Sequence, residues 1–108
     1  MANVNLFTPK ATGTTSITSS SAASSRVALV PSGQHQLAIY NSDTSNVAFV
    51  EFGDSTVAAT VPSGATPGSM PIGPGVVRGV TVAPGVTHAA SICTTGTPIV
   101  YFTPGDGT

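Results

Sequence analysis

Short apolar runs, each closed by glycine or proline, constrain the fold of this chain more than any other feature. From Arg26 onward the runs are rich in Val, Ile, Phe, Tyr and Thr, and turn residues interrupt them at regular intervals. Runs of this kind are typical of β-strands in sandwiches and barrels. No stretch keeps a helical apolar period beyond one turn, and nine prolines disfavour long helices. The sequence therefore predicts an all-β domain.

The runs predict seven strands, and several of them alternate in the way a half-buried strand requires. Leu37 and Ile39 lie on one face of their run, as do Val100 and Phe102 of the last run. Such alternation favours two packed sheets, so we expect a β-sandwich. The predicted strands are residues 26–30, 36–40, 47–52, 57–61, 76–82, 87–94 and 98–103, and residues 62–75 form a Pro/Gly-rich connection.

The run at 47–52 differs because it is apolar on both faces. Val47 and Phe49 share one face, whereas Val50 and Phe52 share the other. Either the strand is covered on both sides, or its second face meets another molecule.

Glu51 interrupts this apolar run, and two interpretations of it remain open. The carboxylate can point to water and deter edge-to-edge pairing of strands. Alternatively it forms an ion pair with Arg26 or Arg78, within the domain or across an interface.

Residues 1–25 have a different composition and are predicted to form an extended N-terminal arm, with the sandwich domain at 26–108. After Pro9 the arm consists almost wholly of Ser, Thr, Ala and Gly. Such a segment has too little apolar surface to offset its ordering entropy by itself. We expect it to lie along a neighbouring subunit, anchored by Leu6, Phe7 and Ile17.

The scarcity of charge points to a surface that is covered by partners. Only 6% of the 108 residues are charged and the net charge is −1, whereas a typical soluble domain is about 25% charged. Surface charge normally keeps soluble proteins apart. The three cations are scattered, so no nucleic-acid binding or anionic lipid binding is expected. No apolar stretch is long enough to span a membrane.

The residues that carry chemistry do not form a recognisable catalytic or metal-binding pattern. His35 and His88 are far apart and Cys93 is the one cysteine, so no paired metal-ligand spacing occurs. Cys93 lies in an apolar strand pattern, which predicts a buried, inert thiol. His88 with Asp43 or Asp54 and one of the many serines forms only a chance triad. We expect no enzymatic activity, no cofactor and no metal.

A carbohydrate-binding module is an alternative from another functional class. Small β-sandwiches often bind sugars by stacking them on exposed aromatic rings, and Tyr40 and Tyr101 are the candidates here because tryptophan is absent. A tyrosine in a strand is more often a packed residue with its hydroxyl at the rim.

Residues 26–106 resemble small virion proteins of tailed bacteriophages. The resemblance lies in patterns of strands and turns rather than in chemical motifs. The similar segments are LAIYNS at 37–42, VAFVEFG at 47–53, SMPIGPG at 69–75, TVAPGVTH at 81–88 and VYFTPG at 100–105.

The resemblance implies a β-sandwich of jelly-roll type that decorates or cements the exterior of a capsid. Its partner would be the major capsid protein, and a homodimer or homotrimer would bridge adjacent capsid subunits. The protein would reside in the virion, after assembly in the host cytoplasm. A position in the tail or a fibre is the alternative within the virion. The residues assigned to the interface are Leu6, Phe7, Lys10, Ile17, Arg26, Glu51 and Arg78.

Overall fold

The computed structural model describes residues 8–9, 13–29, 36–83 and 85–106, and within these ranges the protein is all-β. Two antiparallel sheets pack face to face, which confirms the predicted β-sandwich. The strands are β1 (Thr8–Pro9), β2 (Thr15–Thr18), β3 (Ser25–Ala28), β4 (Gln36–Asn41), β5 (Ala48–Gly53), β6 (Met70–Ile72), β7 (Val77–Thr81), β8 (His88–Cys93) and β9 (Ile99–Asp106).

The larger sheet is built around β9, the longest strand. Along one edge β9 pairs with β2 and, further on, with β1; along the other it pairs with β4, which in turn pairs with β7. The smaller sheet has the order β3-β8-β5-β6. All of these pairings are antiparallel. Among the described strands, β7 lies at one edge of the larger sheet with β1 and β2 at the other, and β3 and β6 lie at the two edges of the smaller sheet.

The core lies between the sheets and consists of the alternating apolar positions of their inner faces. Leu37 and Ile39 of β4 and Val100 and Phe102 of β9 are all at most 1% exposed, which confirms their predicted burial. The Phe102 ring meets Phe52 of the smaller sheet edge to face, with ring centroids 6.2 Å apart. This contact is a favoured aromatic geometry and joins the two layers.

Six of the seven predicted strands are present, and three of the observed strands were not predicted. Residues 57–61 do not form a strand; they belong to a long loop from 54 to 69 that crosses the outer face of the smaller sheet. Strand β6 lies inside the stretch predicted as a Pro/Gly-rich connection, and β1 and β2 lie inside the predicted arm.

The described part of the predicted arm belongs to the sandwich. Ile17 pairs with Val100 of β9 and is 4% exposed within the core. The structure therefore corrects the prediction that Ile17 anchors the arm to a partner: its apolar surface is used inside this domain. The boundary predicted at residue 26 does not separate arm from body here, because β2 precedes it. Leu6, Phe7 and Lys10 lie outside the described residues.

Candidate interaction face

The outer face of the larger sheet carries several exposed apolar side chains. Among the described residues, the exposed large apolar side chains are Tyr40, Val77, Ile99 and Tyr101. Strand alternation and the pairing register place all four on the side of the sheet that points away from the core. We call this surface the tyrosine face.

A stacked pair of tyrosines occupies the centre of the tyrosine face. Tyr40 of β4 and Tyr101 of β9 stand opposite each other in the register, with ring centroids 6.2 Å apart and ring planes 21° from parallel. Tyr40 is 39% exposed and Tyr101 is 37% exposed. These rings are thus partly open to solvent, while the greater part of each side chain is covered.

The side chains around the tyrosines are uncharged. Ser16 flanks Tyr101 on β2, and Val77 flanks Tyr40 on β7, so that four strands contribute to one row. In the next row, Thr103 shares a 2.8 Å hydrogen bond with Thr14 through their hydroxyl groups. A partner of this face would meet aromatic, aliphatic and hydroxyl groups rather than ions.

A shallow groove runs along β4 and β7 beside this row. Its volume is about 420 Å³, which falls within the range of small-ligand pockets. Ala38 and Gly79 are opposed in the register and form its floor, which is low because one side chain is small and the other is absent. The residues lining it are Gln36, Leu37, Ala38, Val77, Gly79, Val80 and Thr81.

Arg78 lies at the margin of the same sheet but on its other face. It pairs with Ile39 in the register, and opposed residues share a face, so Arg78 projects on the core side. Its side chain is nevertheless exposed, because β7 is the last strand of the sheet. Arg78 is therefore a charge at the rim of the sandwich rather than part of the tyrosine face.

Arg26 and Glu51, also assigned to the interface by sequence, lie on the outer face of the smaller sheet and fasten the loop at 54–69. The Arg26 guanidinium donates to the carbonyl of Val57 at 3.2 Å. The Glu51 carboxylate accepts a 2.7 Å hydrogen bond from the Ser69 hydroxyl, which itself accepts from the Thr60 N–H at 2.9 Å. Both charged side chains thus have partners within the domain.

The buried amide of Asn41 holds the end of β4 next to Tyr40. Its Nδ2 donates to the carbonyls of Asn46 at 2.9 Å and Ile72 at 3.0 Å, and its Oδ1 accepts from the N–H of Asp43 at 3.0 Å. Because Ile72 belongs to β6, this one side chain ties the two sheets together beneath the tyrosine face. Sequence reasoning did not single out Asn41.

Asp43 and Asp54 each accept hydrogen bonds from their own loop. Hydrogen bonds from the backbone N–H groups of Ser45 and Asn46 hold the pKa of Asp43 below its usual value. The hydroxyl and N–H of Thr56 do the same for the pKa of Asp54, with a smaller contribution from the charge of His88. The two aspartates therefore stabilise turns.

The predicted inert thiol is buried, and no metal-binding cluster is found in the part of the chain that the structure describes. Cys93 is 1% exposed, and burial raises the pKa of its thiol. Within the described ranges, no group of three or more His, Cys, Asp or Glu side chains is arranged to hold a metal ion. Those ranges also contain no helix long and apolar enough to cross a membrane.

Comparison with known proteins leaves the tyrosine face to be interpreted from its own chemistry. No family model, curated protein or solved structure matches the chain. The sequence identifies the two tyrosines as candidates, but they are 61 positions apart in the chain and come together only because β4 pairs with β9. Only the sheet register brings them together.

Proposed function

We propose that this protein is a non-enzymatic structural component of a virion that docks on the outer capsid shell through its tyrosine face and bridges adjacent major-capsid subunits. The observation that carries the proposal is the concentration of Tyr40, Val77, Ile99 and Tyr101 on one uncharged sheet face. Scattered exposed apolar residues are normal on protein surfaces, whereas a contiguous patch marks an interaction site. Interface cores are likewise rich in aromatic residues and poor in charge.

The strand order supports this proposal. Strands β2 to β9 form two four-stranded layers, β2-β9-β4-β7 and β3-β8-β5-β6, and the chain passes repeatedly between them. We infer that these eight strands form a jelly roll, an architecture common to viral capsid and lectin domains. A shared fold is an analogy that raises the expectation of such a role, while the function itself rests on the exposed face.

Docking of this kind would strengthen a shell by mass action. A protein that binds only the assembled lattice stabilises that lattice in proportion to its affinity and concentration. Many modest contacts repeated over a symmetric surface also add up through avidity. The shortage of charge fits this role, because a surface that is covered in use has less need of electrostatic repulsion.

Co-sedimentation with empty shells of the corresponding phage tests the proposal. Ile99→Lys adds a charge to the tyrosine face, and Ala28→Lys adds the same charge at an exposed strand position of the smaller sheet. We expect wild type and Ala28→Lys to bind at many copies per shell. Ile99→Lys should bind at least about tenfold more weakly, which corresponds to roughly 1.4 kcal/mol.

Equal binding by the two lysine variants would exclude the tyrosine face as the docking surface. Binding at only a few copies per particle would instead favour a position in the tail or a fibre.

Carbohydrate binding is the second candidate, and the exposed Tyr40–Tyr101 pair favours it. Aromatic rings with neighbouring hydroxyl groups suit the mixed apolar and polar surface of a neutral sugar. A screen of neutral oligosaccharides with wild type and Tyr101→Ala would test it: binding that is lost in the variant, together with no binding to shells, would replace the capsid proposal.

A further inference from the structure

The outer edge of β7 has no partner strand within the ranges that the structure describes. Among the described strands, β7 pairs only with β4. Hydrogen-bonded and non-bonded pairs alternate along an antiparallel ladder. The N–H of Asn41 donates to the carbonyl of Val76 at 3.1 Å. The next hydrogen-bonded pairs between β4 and β7 are therefore those in which Arg78 and Val80 face β4. The N–H and C=O groups of Val77, Gly79 and Thr81 therefore point away from the sheet.

Other margins of the sandwich are less suited to pairing. The edge strand β6 is three residues long and contains Pro71, which has no N–H to donate. At the opposite margin, β2 and β3 lie against each other. Strand β7 is longer, contains no proline, and is exposed at Val77, Gly79 and Thr81.

Gly79 leaves the outer face open at the middle of this edge. A Cβ built at this position meets nothing within 4 Å, and the φ of Gly79 is not among the positive values found in the described glycines. Neither packing nor backbone conformation therefore requires glycine here. The middle of the edge therefore carries no side chain that would crowd the side chains of a paired strand.

We propose that β7 pairs antiparallel with β7 of a second copy of this chain, about a twofold axis that passes beside Gly79. This register sets Gly79 opposite its equivalent and Val77 opposite Thr81 of the second copy. All outward groups of the three residues are then used, giving about six backbone hydrogen bonds across the axis. A shift by two residues would lose one of the three pairs.

Side chains are compatible with this register. On the outer face two β-branched residues, Val77 and Thr81, oppose each other, which is a favourable cross-strand combination. On the inner face Arg78 directly opposes Val80 of the second copy, and the two Arg78 residues are diagonal neighbours whose exposed side chains can extend away from each other into solvent. A charge at a sheet edge ordinarily discourages pairing, but here it lies to one side of the axis and projects at the rim.

The pairing joins two larger sheets into one continuous sheet. Because the axis is perpendicular to the sheet, both tyrosine faces point in the same direction. One dimer would then present two docking faces to neighbouring capsid subunits, and this consequence rests on the proposed function. The pairing of β7 itself does not depend on it.

Disulfide trapping in the full-length protein tests the register. Opposed residues in a bonded pair have Cα atoms about 5.5 Å apart, which is within disulfide range. Gly79→Cys should therefore crosslink to itself under mild oxidation. Val77→Cys alone should crosslink poorly, whereas a mixture of Val77→Cys and Thr81→Cys should crosslink. Ala28→Cys, at an exposed position of the smaller sheet, is the control, and the buried thiol of Cys93 is common to all variants.

We expect Gly79→Cys to crosslink at least about tenfold faster than Ala28→Cys, and the mixture to crosslink faster than either of its components. Sedimentation of wild type should show a monomer–dimer equilibrium. A monomer at all concentrations, or equal crosslinking by Gly79→Cys and Ala28→Cys, would overturn the proposal. A trapped dimer that fails to bind shells would leave the β7 pairing intact and count against the proposed function instead.

Discussion

Tyr40 and Tyr101 face each other across two central strands of the larger sheet, on the side opposite fully buried residues. Ile39 directly precedes Tyr40 and Phe102 directly follows Tyr101, and both of these side chains are 0% exposed in the core. Core packing therefore fixes the backbone that carries the exposed rings. A preorganised aromatic pair loses little conformational entropy when a partner covers it, which favours binding.

If the proposed docking on shells is right, replacing Tyr101 by alanine should weaken shell binding far more than it weakens the fold. The ring is 37% exposed, and a cross-strand aromatic pair contributes about 0.2–1 kcal/mol to stability. We expect a loss of no more than about 1.5 kcal/mol in the free energy of unfolding, but at least a tenfold loss of affinity for shells. Urea denaturation and co-sedimentation of the same preparation measure the two effects.

A double-mutant cycle that combines Tyr40→Ala with Tyr101→Ala measures the interaction energy between the two rings separately from the contribution of each ring alone. A coupling energy near zero in unfolding would show that the two rings do not stabilise each other. A fall in shell binding that merely follows the fall in stability would remove Tyr101 from the docking surface.

Asn41 should be among the residues least tolerant of substitution. Asn41→Ala removes the donors that satisfy the buried carbonyl of Ile72 and the carbonyl of Asn46. Leaving buried polar groups unpaired and creating a small cavity costs about 2–4 kcal/mol. The matched control is Ser42→Ala, which removes an exposed hydrogen bond to the carbonyl of Ile99 and should cost less than about 1 kcal/mol.

Asn41→Asp refines this prediction, because its carboxylate would face carbonyl oxygens instead of donating to them. We expect it to destabilise the fold at neutral pH at least as much as Asn41→Ala. Chemical denaturation of the three variants would give the order, and an Asn41→Ala cost no larger than that of Ser42→Ala would contradict the assigned role.

The sequence predicts the buried strands well because their local pattern matches their final environment. Leu37 and Ile39 alternate with less apolar neighbours and face the core as expected. The pattern at 57–61 also alternates, yet this segment is held in a loop by two hydrogen bonds. The guanidinium of Arg26 donates to the carbonyl of Val57, and the N–H of Ala59 donates to the hydroxyl of Ser24. No local signal distinguishes a strand from a loop laid across a sheet.

Strand β2 illustrates the opposite case. Its segment, Thr15–Thr18, contains one large apolar residue, so composition favours a flexible arm over a strand. It becomes a strand because β9 supplies partners along its length, from Thr15 with Phe102 to Thr18 with Ile99. The tyrosine face depends on the same kind of long-range register, which the sequence alone does not reveal.

Gly68 should be required for close packing inside the loop at 54–69. A Cβ at this position would lie 2.3 Å from the backbone nitrogen of Pro62, which is a severe overlap. Gly68→Ala must therefore displace the backbone, at a cost of about 1–3 kcal/mol. Gly79→Ala is the control, since its Cβ meets nothing within 4 Å, and it should leave the free energy of unfolding within about 1 kcal/mol of wild type.

The midpoints of urea denaturation compare the two variants directly. Equal midpoints for Gly68→Ala and Gly79→Ala would mean that the loop does not hold Gly68 against Pro62 in solution.

The free energy of unfolding should fall in acid, because two aspartates accept turn-stabilising hydrogen bonds in their ionised form and acid protonates them. The Asp43 carboxylate accepts hydrogen bonds from the N–H of Ser45 at 3.0 Å and of Asn46 at 2.7 Å, and these bonds lower its pKa. The bonds from Thr56 lower the pKa of Asp54 in the same way. A carboxyl group with a lower pKa in the folded state stabilises the fold above its unfolded pKa, near 3.8. That stabilisation is lost as the pH falls through the folded pKa.

The double variant Asp43→Asn/Asp54→Asn should therefore lose less stability than wild type when the pH is lowered from 6 to about 2. Asparagine keeps one acceptor oxygen at each turn, so the variant should remain folded at neutral pH, where it is somewhat less stable than wild type. Free energies of unfolding from urea titrations at each pH give the two curves. Parallel curves would show that other carboxyl groups account for the acid sensitivity, because the difference between wild type and variant must shrink in acid if these two turns cause it.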